Sequence, residues 1–234
     1  MFRFKQFTIH QNKTGMKVGT DGVLLGAWAN VSSATTILDI GTGTGLIALM
    51  LAQRNSSAII DAIEIDKNAY EQAIENVQNS PWASRINIIH SNFSTFKQEA
   101  QSQYSLIVSN PPYFSSSLQS PDTQRTTARH TKELAHQDLL EGSLRLATAD
   151  GVLSVILPYV EGNVFIALAA NAGLFCNRKT NVATRNGSST KRLLLEFSRA
   201  QKKLQETTLY IRGFEENSFT DRYKELTKEF YLNF

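Results

Sequence analysis

Thr36-Ile37-Leu38-Asp39-Ile40-Gly41-Thr42-Gly43-Thr44-Gly45-Leu46 is the stretch that decides the fold. Residues 36–40 are a short apolar run, and glycine then occupies alternate positions. Glycine lacks Cβ, so a turn there can tighten and a ligand can approach the main chain. Leu46 to Arg54 reads as a helix whose first N–H groups face that turn. A strand, a glycine turn and a helix in this order open a parallel α/β sheet.

A second junction lies downstream. Tyr104-Ser105-Leu106-Ile107-Val108 runs into Ser109-Asn110-Pro111-Pro112-Tyr113-Phe114. Runs rich in Ile, Leu and Val at 36–40, 59–65, 86–90, 104–109, 152–157 and 192–197 suit strands buried on both faces. Helical patterns fall near 45–54, 67–79, 135–147 and 160–172. Gly151 and Gly173 follow two of them, at C-cap positions. Thr207 to Ile211 reads as a further strand and Thr220 to Tyr231 as a closing helix. The alternation predicts a doubly wound α/β fold. One domain is expected over 1–234: a covering segment at 1–35, a core at 36–200 and an extension at 201–234. Residues 115–132 read as a long loop beside the second motif, a common place for substrate contact.

Composition narrows the class. The chain is 41% apolar and 19% charged, ordinary for a soluble globular protein. No apolar run approaches the roughly 18 residues that span a bilayer. Met1 to Phe7 lacks the apolar core of a signal peptide. Cys176 is the single cysteine, which excludes an intramolecular disulfide and a Cys-based zinc site. His10, His90, His130 and His136 lack ligand-like spacing, so no metal is expected. A cytoplasmic protein is the simplest expectation. The net charge of +3 is unevenly spread. Residues 1–20 hold Arg3, Lys5, Lys13 and Lys17 with no acid, and residues 176–203 hold eight basic side chains against Glu196. Such segments suit phosphates, although solvated surface charge is the plainer reading of any one of them.

The glycine spacing bears on the cofactor. Leu46 stands where a dinucleotide fingerprint carries its third glycine, which disfavours NAD and suits S-adenosylmethionine. Glu64 lies 19 residues past Gly45, where an acid can accept hydrogen bonds from both ribose hydroxyls. Asp39 is expected to anchor the loop and the ligand's methionine end. Asn92 follows the third strand, and its carbonyl can accept from the adenine amino group; a turn asparagine is the competing reading. Thr20-Asp21 can cap a helix running through Leu24 and Trp28, with Lys17 on the preceding loop free to pair with a carboxylate.

Asn110-Pro111-Pro112-Tyr113 answers a problem in nitrogen chemistry. The lone pair of an aromatic amino group is delocalised into its ring. Two acceptors facing the two N–H groups favour a pyramidal, nucleophilic nitrogen. The Asn110 side-chain oxygen is one acceptor and the Pro111 carbonyl the other. Pro112 holds Pro111 extended, which fixes that carbonyl. Tyr113 offers a stacking face, typically worth about 1–3 kcal/mol. No strong base is required, because the methylated nitrogen is cationic and loses its proton readily; alignment carries the catalysis. A Pro-Pro turn with a packing tyrosine is the structural alternative.

Together these motifs resemble the S-adenosylmethionine-dependent amino-methyltransferases. Phe2 to Gln11, Met16 to Trp28, Ser80-Pro81-Trp82 and Ala128-Arg129-His130-Thr131 extend the similarity to the bacterial tRNA1(Val) (adenine(37)-N6)-methyltransferase family. The resemblance covers most of residues 1–158 and is loose in the last seventy. It implies a Rossmann-like, seven-stranded methyltransferase fold, S-adenosylmethionine as cofactor, and methylation of N6 of the adenine just 3′ of the anticodon in a valine tRNA. It further implies cofactor binding by Gly41, Gly43, Gly45 and Glu64, with Lys17, Gly19, Thr20 and Asp21 near the methionine end and Asn110 to Tyr113 holding the target amine. Asn92 departs from the aspartate common in such families. Phe114, Arg129, His130, Lys191 and Arg192 are the candidate RNA contacts. Competing functions are a protein glutamine methyltransferase, a DNA adenine methyltransferase, and a non-catalytic RNA-binding module of the same fold.

Overall fold

The structure is a computed structural model that describes residues 1–15, 17–100, 104–111, 136–213, 215 and 218–234. Chain order gives β1 (Phe2–Arg3), β2 (Thr8–Ile9), α1 (Thr20–Trp28), β3 (Thr36–Ile40), α2 (Leu46–Arg54), β4 (Ile59–Glu64), α3 (Lys67–Gln78), β5 (Ile86–His90), α4 (Phe93–Glu99) and β6 (Tyr104–Ser109). A helical stretch, α5, is described over 136–146. Then come β7 (Ala147–Pro158), α6 (Tyr159–Asn171), β8 (Phe175–Ala183), β9 (Thr190–Ser198), β10 (Gln205–Tyr210) and α7 (Asp221–Thr227).

The main sheet has the order β10-β8-β9-β7-β6-β3-β4-β5. Only β9 runs against its neighbours β7 and β8; every other pairing is parallel. Seven strands are expected, and among the described residues the main sheet has eight: β10 adds to the outer edge of β8 in parallel register, Gln205 against Arg178 through Tyr210 against Ala183. Consecutive apolar residues in the central strands feed opposite cores. Ile37, Leu106, Val108 and Leu194 join the helices α1 and α2 on one face. Leu38, Ile107, Leu193 and Leu195 pack with Leu139 and Leu140 of α5 and Phe165 of α6 on the other. Burial of both faces is why these strands read as unbroken apolar runs.

Three expectations need correction. Strand β8 reads in the sequence only as a basic segment, because Cys176-Asn177-Arg178-Lys179 has no apolar pattern. It is held by partners on both sides, and its charges are paired: Arg178 with Glu196 at 2.6 Å, Lys179 with Glu206 at 2.9 Å. Gly151 is not a helix C-cap but lies within β7, where a Cβ would meet the Tyr104 carbonyl at 2.7 Å. Gly173, by contrast, does close α6 with φ +85°. The closing helix is shorter than expected, Asp221–Thr227, with the Thr220 hydroxyl accepting from the Tyr223 N–H. The long loop expected at 115–132 lies outside the described residues.

Candidate active site

Strand register gathers the loops at one edge. Ile40 of β3 pairs with Ser109 of β6 on one side and with Ile63 of β4 on the other, and Glu64 pairs with His90 of β5. One residue beyond these pairs lie Gly41 and Asn110. Adjacent strands stand about 4.8 Å apart, so the glycine turn and Asn110 are immediate neighbours. After β3 the chain builds outward through β4 and β5, then returns to place β6 on the opposite side of β3. An open α/β sheet leaves a crevice beyond the strand ends at such a reversal.

The three glycines of the turn all have positive φ: 72° at Gly41, 60° at Gly43 and 82° at Gly45. L residues with side chains avoid this region. A Cβ on Gly41 or Gly43 would meet nothing within 4 Å, so the turn faces open space. Glu64 braces it. One carboxylate oxygen accepts the Gly43 N–H at 2.8 Å, and the other accepts from Ile65 and Asp66 at 2.8 and 2.9 Å. A carboxylate offers about four lone-pair sites, which leaves one for a ligand hydroxyl rather than the two oxygens expected for a ribose pair.

Asp39 sits fully buried beneath the turn. The Thr42 hydroxyl donates to its Oδ2 at 2.6 Å, while Oδ1 has no hydrogen-bond partner among the described residues. Burial outweighs that hydrogen bond and raises the carboxyl from 3.8 to about 7. Asn110 Oδ1 is a second buried oxygen of this edge without a partner among the described residues. Two such acceptors at a strand-end crevice match a ligand that brings donors: an ammonium for Asp39, an amino group for Asn110. Asn92 caps α4, its carbonyl accepting the Ser94 N–H at 2.8 Å. That oxygen keeps a second lone pair.

The N-terminal segment lies across α3 and the glycine turn. Asn76, buried on α3, donates to the carbonyls of His10 and Thr44 and accepts the His10 N–H. Gln72, one turn earlier and fully buried, accepts the Lys13 N–H. Both were missed in the sequence; the available signal was a pair of amides at i and i+4 among the buried residues Ala69, Ala73 and Val77. Thr42, which bonds Asp39, was missed as well. Lys17 does not reach a carboxylate: its ammonium donates to the carbonyls of Gln11 and Thr14. The helix after it starts with Gly19 as N-cap and no side-chain cap, so Thr20 and Asp21 do not cap it. Asp21 instead accepts from Arg192 at 2.7 Å. Pro111 follows Asn110 at the strand end; Pro112, Tyr113, Phe114, Arg129 and His130 lie outside the described residues.

The sheet divides the second basic segment. Strand β8 ends, and β9 starts, at the edge that carries Asn110, so Arg185, Lys191 and Arg192 belong to that edge. Lys202 and Lys203 follow the end of β9 at the opposite edge. Arg178, Lys179, Arg192 and Arg199 are engaged internally, Arg199 with the carbonyls of Thr148 and Leu144. Among the described residues, no group of three or more His, Cys, Asp or Glu side chains forms a metal cage.

Residues 15–155 match a family profile described as methyltransferase small domain. A tRNA1(Val) (adenine(37)-N6)-methyltransferase of Histophilus somni is 45% identical over 234 residues, covering 100% of this chain and 98% of that protein. A protein of the same name from Bacteroides fragilis is 46% identical over 232 residues, covering 99% and 97%. Among solved structures, one titled as a predicted O-methyltransferase from Agrobacterium tumefaciens superposes with TM-score 0.71 at 18% identity, covering 90% of this chain and 96% of that one. A methyltransferase from Pyrococcus furiosus gives TM-score 0.55 at 22% identity over 71% and 75%. These two likenesses establish the fold.

Proposed function

The chain belongs to the tRNA1(Val) (adenine(37)-N6)-methyltransferase family, and from that premise we propose that it transfers a methyl group from S-adenosylmethionine to N6 of adenine-37 in a valine tRNA. The observation that carries this reading is Asn110 Oδ1, buried, unpartnered and one strand spacing from the glycine turn. An acceptor in that position is what an amino nitrogen needs.

The cofactor supplies an electrophilic methyl on a sulfonium. Gly41, Gly43 and Gly45 give it access to the main chain, and the open space beside the first two accommodates it. Asp39 Oδ1 suits its ammonium. Glu64 holds the turn and keeps one acceptor site for a ribose hydroxyl. Asn92 keeps one for the adenine amino group. Lys17, Gly19, Thr20 and Asp21 shape the methionine end indirectly, by fixing the turn before α1 and the start of that helix. Asn110 and the Pro111 carbonyl accept the two N–H bonds of the target amine. They favour the pyramidal nitrogen and align it with the methyl group. Pro112 fixes that carbonyl and Tyr113 stacks on the base. Phe114, Arg129, His130 and Lys191 contact the RNA; Arg192 acts through Asp21.

No described helix is long and apolar enough to cross a membrane, and a tRNA substrate fits a cytoplasmic enzyme. The deciding experiment supplies labelled S-adenosylmethionine and, in separate reactions, the bulk tRNA, protein and DNA of cells lacking this protein, then digests each and identifies the labelled residue. Label in N6-methyladenosine from a valine tRNA is the expected result. Label in protein glutamine, in DNA adenine, or nowhere would overturn the assignment.

A further inference from the structure

A cavity of about 580 Å³ opens near the same sheet edge, beyond β8 and β10. Its wall includes Thr184, one residue past β8, and Ile211 and Arg212, directly past β10. Both strands run parallel to β6, so the cavity shares the edge that carries Asn110. From β6 to β8 is three strand spacings and to β10 four, about 14–19 Å along the edge. A few nucleotides of one RNA strand cover that span.

The lining has an unusual composition for packing alone. Phe2, Phe219, Tyr231 and Phe234 contribute rings that are only half-buried, whereas Phe4 and Phe230 beside them are 1% exposed. The rings meet at near-perpendicular angles: Phe219 and Phe234 at 5.0 Å and 69°, Tyr231 and Phe234 at 5.3 Å and 75°. Phe219 is itself stacked on Tyr223 at 5.2 Å and 15°, which leaves the partly exposed rings of Phe2, Tyr231 and Phe234 as the aromatic surface of the cavity. The Arg212 guanidinium lies 4.1 Å from the Phe219 ring centre, and Arg3 is an exposed second cation of the wall. No Asp or Glu side chain occurs among the described lining residues. Exposed Arg185 and Lys191 continue the positive charge along the edge toward Asn110.

We propose that this cavity receives an unpaired nucleotide of the tRNA other than the methylated adenine, its base against the aromatic rings and its phosphate beside Arg3 and Arg212. The inference rests on the tRNA methyltransferase reading above. Single-stranded RNA is held by this combination of stacking faces and guanidinium groups. The volume lies in the range of sites that enclose one small ligand, about 300–1,000 Å³. An acidic peptide would use the two arginines but leave the partly exposed rings of Phe2, Tyr231 and Phe234 unused. The covering segment and the C-terminal extension, which supply Phe2, Arg3 and most of the rings, thereby form a second anchor. It fixes the strand's register so that the target adenine reaches Asn110.

The test uses anticodon stem-loops in which one loop base at a time is replaced by an abasic sugar. The wild-type enzyme should lose about tenfold in kcat/KM at one position besides the target. An Arg3→Ala, Arg212→Ala enzyme should start about tenfold lower on the intact loop and lose little more at that abasic position. Arg212 stacks on Phe219, so Arg3→Ala alone, at an exposed position, is measured in parallel and should show part of the same coupling. Calorimetric affinity for S-adenosylmethionine reports that the variants remain folded. Lys202→Ala, Lys203→Ala at the opposite edge should leave KM for the stem-loop unchanged. Equal abasic losses in wild type and both arginine variants would overturn the pocket while leaving the methyltransferase reading intact. Absence of methylation of any tRNA by the wild type would overturn both.

Discussion

Arg192 donates from Nε to the Asp21 carboxylate at 2.7 Å, tying the start of β9 to the first turn of α1 across 171 positions of sequence. The pair joins a residue expected at the cofactor to one expected at the RNA. Its effect is to seat the N-terminus of α1 on the sheet, beside the helix that follows the glycine turn.

Arg192→Ala should therefore act through stability, with a loss of about 1 kcal/mol for a partly exposed pair. The neighbouring Lys191 is exposed and should contact phosphate. Lys191→Ala should reduce the slope of log affinity for tRNA against log salt by about 1. Denaturation and salt titration of the two single variants separate these roles. A larger slope change in Arg192→Ala than in Lys191→Ala would show that tRNA breaks the pair.

Asn110→Ala should separate activity from stability. Its Oδ1 is buried without a partner, so removing the amide relieves a desolvation cost of about 1–3 kcal/mol, offset in part by lost packing. Thermal stability should hold or rise. Turnover should fall by about 10²–10³, the usual loss for one transition-state hydrogen bond. Cofactor affinity should hold. Single-turnover methylation at saturating tRNA gives the rate, and an undiminished rate would place the amine elsewhere.

Gly43→Val tests the turn. Gly43 has φ +60°, where a side chain costs about 1–2 kcal/mol. The added Cβ meets no atom within 4 Å. The protein should stay folded with a lowered Tm, and S-adenosylmethionine affinity should fall at least about tenfold. Calorimetry on the folded variant checks this; wild-type affinity would remove the turn from the site.

Asp39 predicts a pH dependence with opposite signs for folding and binding. Its carboxyl is raised from 3.8 to about 7 in the folded protein by burial. Between those values the folded state holds a proton that the unfolded chain releases, so this group's contribution to stability falls as pH rises across that window and is level above it. Asp39→Asn cannot ionise and lacks that slope. An ammonium ligand favours the ionised form, so S-adenosylmethionine affinity should rise over the same window, by up to about tenfold per pH unit below the folded value. Urea denaturation and calorimetry at several pH values test both signs. Parallel stability curves for wild type and Asp39→Asn would show that the carboxylate stays ionised.

The sequence alone determined the mostly parallel sheet and the edge that carries the glycine turn and Asn110. Its signals are local: apolar runs buried on both faces, glycines where φ must be positive, and an asparagine directly after a strand. Each needs only its own neighbours to be read. The tertiary structure decided the partners. Glu64 bracing Gly43, Arg192 reaching Asp21, Asn76 bridging His10 and Thr44, and β8 emerging from a polar segment all join residues far apart in the chain. A strand such as β8 takes its stability from hydrogen bonds to β9 and β10, and a paired charge from the carboxylate opposite. Those energies exist only once the topology has set register, which no local pattern encodes.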